Sequence, residues 1–194
     1  MRLHVIIPAY CKPIPLRGLI DSFKLQTNPN WRLHIIHDGP APVAVKDIVV
    51  SYRDSRISFC ETAKVMGSYG HPNRRTMLES LPDSSKDWVL MTNHDNYYVP
   101  RFVQYFLSLC DSTVGMVYCN TIHSHYSYSL HYSKLTEAGI DMGAFIVRLD
   151  VAKKVGFNYL HFAADGRYAM ECRELCETTD LQIKYINKFL FVHN

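Results

Sequence analysis

The stretch LMTNHDNYYVP, residues 90–100, joins the end of an apolar run to a polar cluster. The apolar run begins at Trp88, and uninterrupted apolarity of this kind predicts a strand that is covered on both faces. Five polar residues follow at 92–96, before Tyr97, Tyr98 and Pro100. The cluster is either an ordinary turn from a strand to a helix or a place where oxygen atoms are gathered for a metal ion and a phosphate.

The rest of the chain repeats this change from apolar strand to polar break. Strands are predicted at 3–7, 31–37, 56–60, 87–92, 114–120 and 143–148, with one or two more within 183–192. Helices are predicted at 13–26, 43–52, 74–81, 100–110, 151–155 and 165–177. Strands that alternate with helices indicate a single α/β domain, 1–194, with a Rossmann-like and mostly parallel central sheet flanked by helices.

The polar breaks follow strands, at Tyr10, Asp38 and Asp95. Ligands of α/β proteins bind beyond the carboxyl ends of the parallel strands. These three positions are therefore expected to converge on one site.

Composition and charge narrow the function classes. The chain has 194 residues, 47% of them hydrophobic and 20% charged, which is typical of one globular domain. The net charge of +3 comes from dispersed basic residues, so no nucleic-acid partner is expected. Six cysteines without a CxxC motif favour free thiols in a reducing compartment. No apolar run approaches the 18 residues of a membrane span, so no transmembrane segment is expected and a cytoplasmic location is predicted.

Three aspartates allow a plain and a functional interpretation. Asp38 precedes Gly39 and could simply form a turn, or its carboxylate could accept hydrogen bonds from a nucleobase or ribose. Asp95 could cap the following helix, or could hold Mg²⁺ or Mn²⁺ together with a diphosphate. Asp165 could cap the helix that it opens, or could act as a general base beside a substrate hydroxyl.

The positions of the histidines in the sequence do not by themselves indicate a metal site. His193 follows an apolar strand and could be solvated or could complete a metal site. The other nine are scattered without the spacing of a ligand set. Residues 121–141 carry tyrosines and histidines in an irregular segment, which either packs on the sheet or binds an acceptor through its aromatic faces.

Taken together, the motifs resemble a glycosyltransferase of the GT-A fold, family 2 type. The resemblance follows the order of the motifs HVIIPAY (4–10), IIHDGP (35–40), GSYGHPNRR (67–75), LMTNHDNYYVP (90–100), DMGAFIVRLDVAKKVGF (141–157) and AADGRYAMEC (163–172). It implies an inverting, metal-dependent hexosyltransferase that moves a sugar from a nucleotide diphosphate, by default a UDP-sugar, to a glycan acceptor in polysaccharide biosynthesis. Residues 1–100 would bind the nucleotide sugar, and residues 101–194 would form the acceptor half, in a chain that could be one domain of a longer protein.

The resemblance also implies roles for individual residues. The residues implied to bind the nucleotide sugar are Pro8, Ala9, Tyr10, Asp38, Gly70, Arg74, His94 and Asp95. Asp95 and His193 would hold Mn²⁺ or Mg²⁺, and Asp165 would be the catalytic base.

Two departures from the family pattern leave rival interpretations open. Asn93 stands where the first acid of the family's DxD motif is usual, and Ala164 stands where a glutamate usually precedes Asp165. Both changes favour a nucleotide-sugar-binding domain that has lost catalysis. A nucleotidyltransferase is the other rival, but it would normally show a glycine-rich basic loop after the first strand, where this chain has PAYCKPIP (8–15).

Overall fold

The computed structural model describes all residues, 1–194, as one sheet flanked by helices. The strands are β1 (Leu3–Ala9), β2 (Trp31–His37), β3 (Ile57–Glu61), β4 (Trp88–Met91), β5 (Tyr97–Tyr98), β6 (Val114–His123), β7 (Ser129–His131), β8 (Phe145–Arg148) and β9 (Gln182–His193). The helices are α1 (Pro13–Lys24), α2 (Val43–Ser51), α3 (His71–Ser80), α4 (Phe102–Leu107), α5 (Leu149–Val155) and α6 (Ala164–Thr178). Short 3₁₀ turns cover Ser68–Gly70, Ser124–Tyr126 and Met142–Ala144.

The sheet is mixed, with a large parallel part. Its order is β3-β2-β1-β4-β8-β6-β9-β5, and β7 pairs with β6 outside that path. Strands β1, β2, β3, β4, β6 and β9 run in one direction, whereas β5, β7 and β8 run against them. The predicted α/β fold with a mostly parallel sheet is therefore confirmed, with β8 inserted antiparallel between β4 and β6.

Helix α1 shows how the local sequence sets these elements. Proline stands at the first turn, where its fixed φ and missing N–H cost nothing. Its apolar side chains recur at helical spacing and are all buried, at Leu16, Leu19, Ile20 and Phe23. The helix packs beside α2 and β5, and its buried side chains join a continuous core of 49 residues.

A switch in strand order positions the candidate site. From β1 the chain crosses outward to β2 and β3, and it then returns to place β4 on the other side of β1. Right-handed crossovers put α1 and α2 on one face of the sheet and α3 on the other. A crevice therefore opens above the carboxyl ends of β1 and β4, which is where ligands of open α/β sheets bind.

Register irregularities distinguish the pairing of β6 with β9. Val117 faces Lys184 in the parallel ladder, whereas Thr121 faces Phe191, so the offset between partners grows along the pair. The extra residues of β9 lie beyond Ile186, where the ladder is interrupted twice. These bulges bring the last residues of the two strands, His123 and His193, side by side.

Two sequence-based expectations about secondary structure needed correction. The segment 121–141 is not irregular throughout, because β6 runs on to His123 and pairs with β7. Helix α3 begins at His71 rather than at residue 74. The six cysteines are all unpaired, as expected. No helix is long and apolar enough to cross a membrane, since the longest, α6, has 15 residues.

Candidate functional site

A cleft of about 1410 Å³ lies over the carboxyl ends of the parallel strands. Its walls include all ten residues that were predicted to form the site: Pro8, Ala9, Tyr10, Asp38, Gly70, Arg74, His94, Asp95, Asp165 and His193. The fold thus brings together residues from both halves of the chain. Their individual roles stay predictions.

The polar cluster at 92–96 divides into structural and cleft-facing residues. Thr92 and Asn96 are fully buried, and the Asn96 amide donates to Thr92 Oγ1 at 3.0 Å. The Tyr98 hydroxyl donates to the same oxygen at 2.7 Å. Asn93, His94 and Asp95 line the cleft instead. The stretch is therefore both a tightly bonded turn and part of the site.

Asp38 fastens the loop before α3. Its Oδ1 accepts from the backbone N–H of Met66 at 2.8 Å and from the Asn73 amide at 3.1 Å. Its Oδ2 accepts from the N–H of Gly67 at 2.9 Å. The carboxylate of Asp38 therefore shapes the loop that forms one wall of the cleft, and its hydrogen bonding to a nucleobase or ribose stays a prediction.

Gly70 allows that loop to approach β1 closely. Its φ is +76°, in the left-handed region, and a Cβ at this position would lie 2.6 Å from Cβ of Pro8. Two residues that the sequence assigned to nucleotide binding are therefore in direct contact across the cleft wall. A larger side chain at position 70 would push the loop away from β1.

Tyr10 presents an exposed aromatic ring at the end of β1. The ring stacks on His37, with centroids 6.0 Å apart, and remains 51% exposed. The tautomer of His37 is fixed by its partners, since Nδ1–H donates to the Gly39 carbonyl and Nε2 accepts from the N–H of Cys11. A planar ligand could stack on the open face of Tyr10.

Arg74 is buried and multiply bonded. Its Nη1 donates to the Tyr69 carbonyl at 2.8 Å and to His71 Nδ1 at 3.1 Å, and its Nη2 donates to Oδ1 of Asn93. Its Nε has no partner. Burial lowers the pKa of Arg74, while the charge of Asp165 raises it, and the guanidinium stays charged. Asn93, at the unusual position of the motif, is therefore already engaged as a hydrogen-bond acceptor.

Asp165 lies inside the first turn of α6 rather than at its cap. Its Oδ2 accepts from the backbone N–H of Met142 at 3.0 Å. Burial raises the pKa of the Asp165 carboxyl, and the nearby Arg74 partly offsets that effect. A partly buried carboxylate with a raised pKa is a stronger proton acceptor than a solvated one.

Asp95 and His193 have different immediate partners. Asp95 lies 3.4 Å from Lys12 Nζ in an ion pair that the sequence did not suggest. His193 Nδ1 lies 3.0 Å from Asp141 Oδ1, and this contact raises the pKa of His193, with further contributions from Asp165 and Asp95. His123 lies on the other side of Asp141, so the expectation of scattered histidines is wrong for this part of the chain.

The charges around the cleft are unbalanced. Five carboxylates and two basic side chains line it: Asp38, Asp95, Glu137, Asp141, Asp165, Lys12 and Arg74. A doubly charged anion would be repelled by this surface unless a cation entered with it. His94 Nε2 and Asp141 Oδ2 are moreover buried without hydrogen-bond partners. The donor set therefore fits a divalent cation.

Comparison with known proteins supports the fold. No protein-family profile and no curated protein matches the sequence. Among solved structures, residues 1–349 of TarS from S. aureus align with this chain at a TM-score of 0.79 and 15% identity, over 100% of this chain and 60% of that one. The same protein in complex with UDP-GlcNAc gives a TM-score of 0.79 and 14% identity, over 100% of this chain and 58% of that one.

A second protein has the same fold. The mannosyltransferase PcManGT from Pyrobaculum calidifontis, in complex with GDP-Man and Mn²⁺, aligns at a TM-score of 0.72 and 15% identity, over 99% of this chain and 56% of that one. The chain thus spans about 60% of the length of the structures that it resembles. At these identities the comparisons show a shared fold.

Proposed function

We propose that the protein is a glycosyltransferase that moves a sugar from a nucleotide diphosphate to a glycan hydroxyl with inversion. The observation that carries the proposal is the single cleft, which is lined by all ten predicted site residues. The fold is shared with proteins solved in complex with UDP-GlcNAc and with GDP-Man. UDP-sugars are the first choice of donor, and polysaccharide biosynthesis is the proposed context.

The donor occupies the side of the cleft above β1 and α3. Pro8, Ala9 and Tyr10 bind the base, with the open ring face of Tyr10 as a stacking surface. The loop held by Asp38 and closed onto Pro8 by Gly70 covers the nucleotide. This part of the proposal is supported by the contact between the loop and β1.

The diphosphate lies near the polar end of β4. Arg74 supplies a fixed positive charge there, and His94 supplies a buried ring nitrogen without a partner. Asp95 and His193 would hold Mn²⁺ or Mg²⁺, and a divalent cation there would offset the excess of carboxylates around the cleft. When bound, the cation acts as a Lewis acid that stabilises the negative charge on the departing diphosphate.

Asp165 serves the acceptor. Its carboxylate takes the proton of the acceptor hydroxyl as the hydroxyl oxygen bonds to the anomeric carbon, and the bond from that carbon to the diphosphate breaks. Attack from the face opposite the leaving group inverts the anomeric centre. The exposed rings of Tyr126 and Phe162 border the cleft and offer stacking surfaces for sugar rings.

A second candidate function is nucleotide-sugar binding without transfer. The hydrogen bond from Arg74 to Asn93 favours it, because that bond occupies the position where a first metal-binding acid is usual. Hydrolysis of the donor by the pure protein separates the two functions, since a domain that only binds would leave the nucleotide sugar intact.

Calorimetric titration with UDP, GDP and dTDP, each with Mn²⁺ and with EDTA, tests the proposal. We expect micromolar and metal-dependent binding of one nucleotide. Release of that nucleotide from its sugar conjugate is then measured with glycan acceptors. If no nucleotide binds under any of these conditions, the proposed function is wrong.

A further inference from the structure

Three side chains from distant parts of the chain form a cluster in the cleft. His123 ends β6, His193 ends β9, and the ladder pairs these two residues directly. Asp141 immediately precedes the 3₁₀ turn before β8 and lies between the two imidazoles. No local sequence pattern indicates this cluster, because strand pairing aligns the two histidines and the turn before β8 then adds Asp141.

The spacing within the cluster approaches that of ligands around one ion. His193 Nδ1 lies 3.0 Å from Asp141 Oδ1, and His123 Nε2 lies 3.2 Å from Asp141 Oδ2. One ligand atom from each residue falls within 4.8 Å of the others. Two atoms that each bind an ion at about 2.1 Å are separated by roughly 3 to 3.5 Å, so small side-chain movements would complete the site.

A carboxylate oxygen without a hydrogen bond distinguishes this cluster from an ordinary ion pair. Asp141 Oδ2 is buried and has no hydrogen-bond partner, although His123 Nε2 is close to it. A buried carboxylate oxygen without a hydrogen bond is costly in a folded protein. A bound cation would satisfy this oxygen and both imidazoles at once.

The ligand chemistry favours transition metals. Imidazole suits Zn²⁺, Fe²⁺ and similar ions, carboxylate suits Mn²⁺ and Mg²⁺, and two imidazoles with one carboxylate suit the divalent transition metals that accept both. Mg²⁺ prefers oxygen ligands and retains its waters. Three protein ligands also leave coordination positions open toward the cleft.

We infer that His123, Asp141 and His193 bind a divalent transition cation on their own, before any nucleotide arrives. This three-ligand site differs from the cation site proposed above, in which Asp95 depends on a donor diphosphate. The two sites share His193, so the inference deepens the proposed function. A role for this cation in sugar transfer rests on that proposed function. Binding of the cation itself does not depend on that function.

The test measures binding of Mn²⁺ alone to the full, metal-free chain. The signal of free Mn²⁺ in electron paramagnetic resonance falls as the ion binds, and Co²⁺ adds visible absorption bands that report nitrogen and oxygen ligands. We expect a single Mn²⁺ per chain without nucleotide, displaced by Zn²⁺ and not by an equal concentration of Mg²⁺.

Matched variants locate the ion. Asp141→Asn and His123→Asn are each expected to weaken Mn²⁺ binding by more than the roughly 10–100-fold that loss of an outer-sphere partner causes. His131→Asn removes a neighbouring ring that contacts the Gly139 carbonyl and should leave this binding unchanged. Circular dichroism establishes that each variant is folded.

Two results would overturn the inference. One is a wild-type chain that binds neither Mn²⁺ nor Zn²⁺ without nucleotide, which would leave Asp141 as a residue that only orients His193. The other is unchanged binding in folded Asp141→Asn and His123→Asn. A chain that binds Mn²⁺ as expected but never binds a nucleotide would contradict the proposed function and leave the three-ligand site standing.

Discussion

Two pairs of stacked histidines lie at opposite ends of the parallel strands. His4 and His34 stack near the amino ends with centroids 5.2 Å apart and planes at 21°. His123 and His193 stack at the carboxyl ends with centroids 5.1 Å apart and planes at 28°. Ring geometry alone therefore cannot distinguish a packing pair from a candidate cation site.

The carboxylates beside the pairs make the difference. Asp87 lies 3.7 Å from His4 but also accepts a hydrogen bond from the backbone N–H of Arg2 at 2.8 Å. Asp141 lies between both members of its pair and has an oxygen without a hydrogen bond. A shared carboxylate with an oxygen that lacks a hydrogen bond, rather than the stacking of the histidines, therefore distinguishes the carboxyl-end pair.

The electrostatics of the two regions also differ. Burial lowers the pKa of His34 to about 4, and the neighbouring His4 and Arg32 add to that effect. The hydrogen bond with Asp141 instead raises the pKa of His193. Burial thus lowers the pKa of both amino-end histidines, whereas at the carboxyl end burial lowers the pKa of His123 and the pKa of His193 is raised.

Substitution of Asp165 tests whether catalysis depends on the carboxyl end of the sheet alone. Asp165→Asn should reduce sugar transfer by roughly 10²–10⁴-fold, because the general base is lost, while donor affinity is retained. Asp87→Asn, at the amino end, is the matched control and should transfer at the wild-type rate. An equal loss of activity in the two variants, measured as product formation, would contradict a catalytic role confined to the carboxyl end.

The next effect concerns stability and the amino-end pair. The folded-state pKa of His34 is about 4, below the ordinary 6.5, so the unfolded chain binds this proton more readily. Stability should therefore fall as pH drops from 6.5 to 4. The full shift corresponds to about 3 kcal/mol, and partial exposure of the ring reduces the expected loss to about 2 kcal/mol.

Urea denaturation at pH 7 and pH 4.5 measures this loss against a variant that does not titrate. His34→Gln keeps a polar group near Ser58, which contacts His34 Nδ1 at 3.1 Å, and it should lose less stability on acidification than the wild type. An identical pH dependence of the two proteins would show that His34 is not held neutral by the fold.

A smaller loss of nucleotide affinity is expected at Asp95, whose proposed cation is bound together with the nucleotide. Asp95→Ala should abolish the gain in nucleotide affinity that Mn²⁺ provides, a loss of roughly tenfold or more, which is at least about 1.4 kcal/mol. Calorimetry with Mn²⁺ and with EDTA measures it. Equal metal dependence in the variant and the wild type would remove Asp95 from the donor site.

The smallest effect concerns Tyr10, which stacks on His37 but keeps an open face. Tyr10→Ala should weaken nucleotide binding by about 1 kcal/mol, near the lower end of what a stacked base contributes. Tyr10→Phe retains the ring and should bind like the wild type. Fluorescence or calorimetric titration with the preferred nucleotide checks both variants, and equal losses would exclude stacking.

The sequence predicted the strands and helices of the first half of the chain well, for physical reasons that are local. Strand β2 runs from Trp31 to His37 as expected, since an apolar run bounded by turn residues carries its own signal. The convergence of Tyr10, Asp38 and Asp95 followed from the rule that ligands of α/β proteins bind beyond the carboxyl ends of the parallel strands.

The carboxyl-end cluster could not be predicted in the same way. Strands β5 and β7 have two and three residues, too few for a periodic pattern. The meeting of His123 with His193 depends on register between strands that are far apart in the chain. Local sequence contains no information about that register, so the sequence does not predict that Asp141 lies beside the two histidines.

The bulges of β9 have a consequence for how such a site could arise or vanish. Had β6 and β9 kept the offset at which Val117 faces Lys184, His123 would face Leu190 instead of His193. Inserted residues in one strand, and no substitution at any ligand, therefore align the two imidazoles. Related chains could therefore gain or lose the cluster through a change in strand length while all three ligand residues are retained. Comparison of aligned residue identities would then be a poor guide to which related chains can hold the ion.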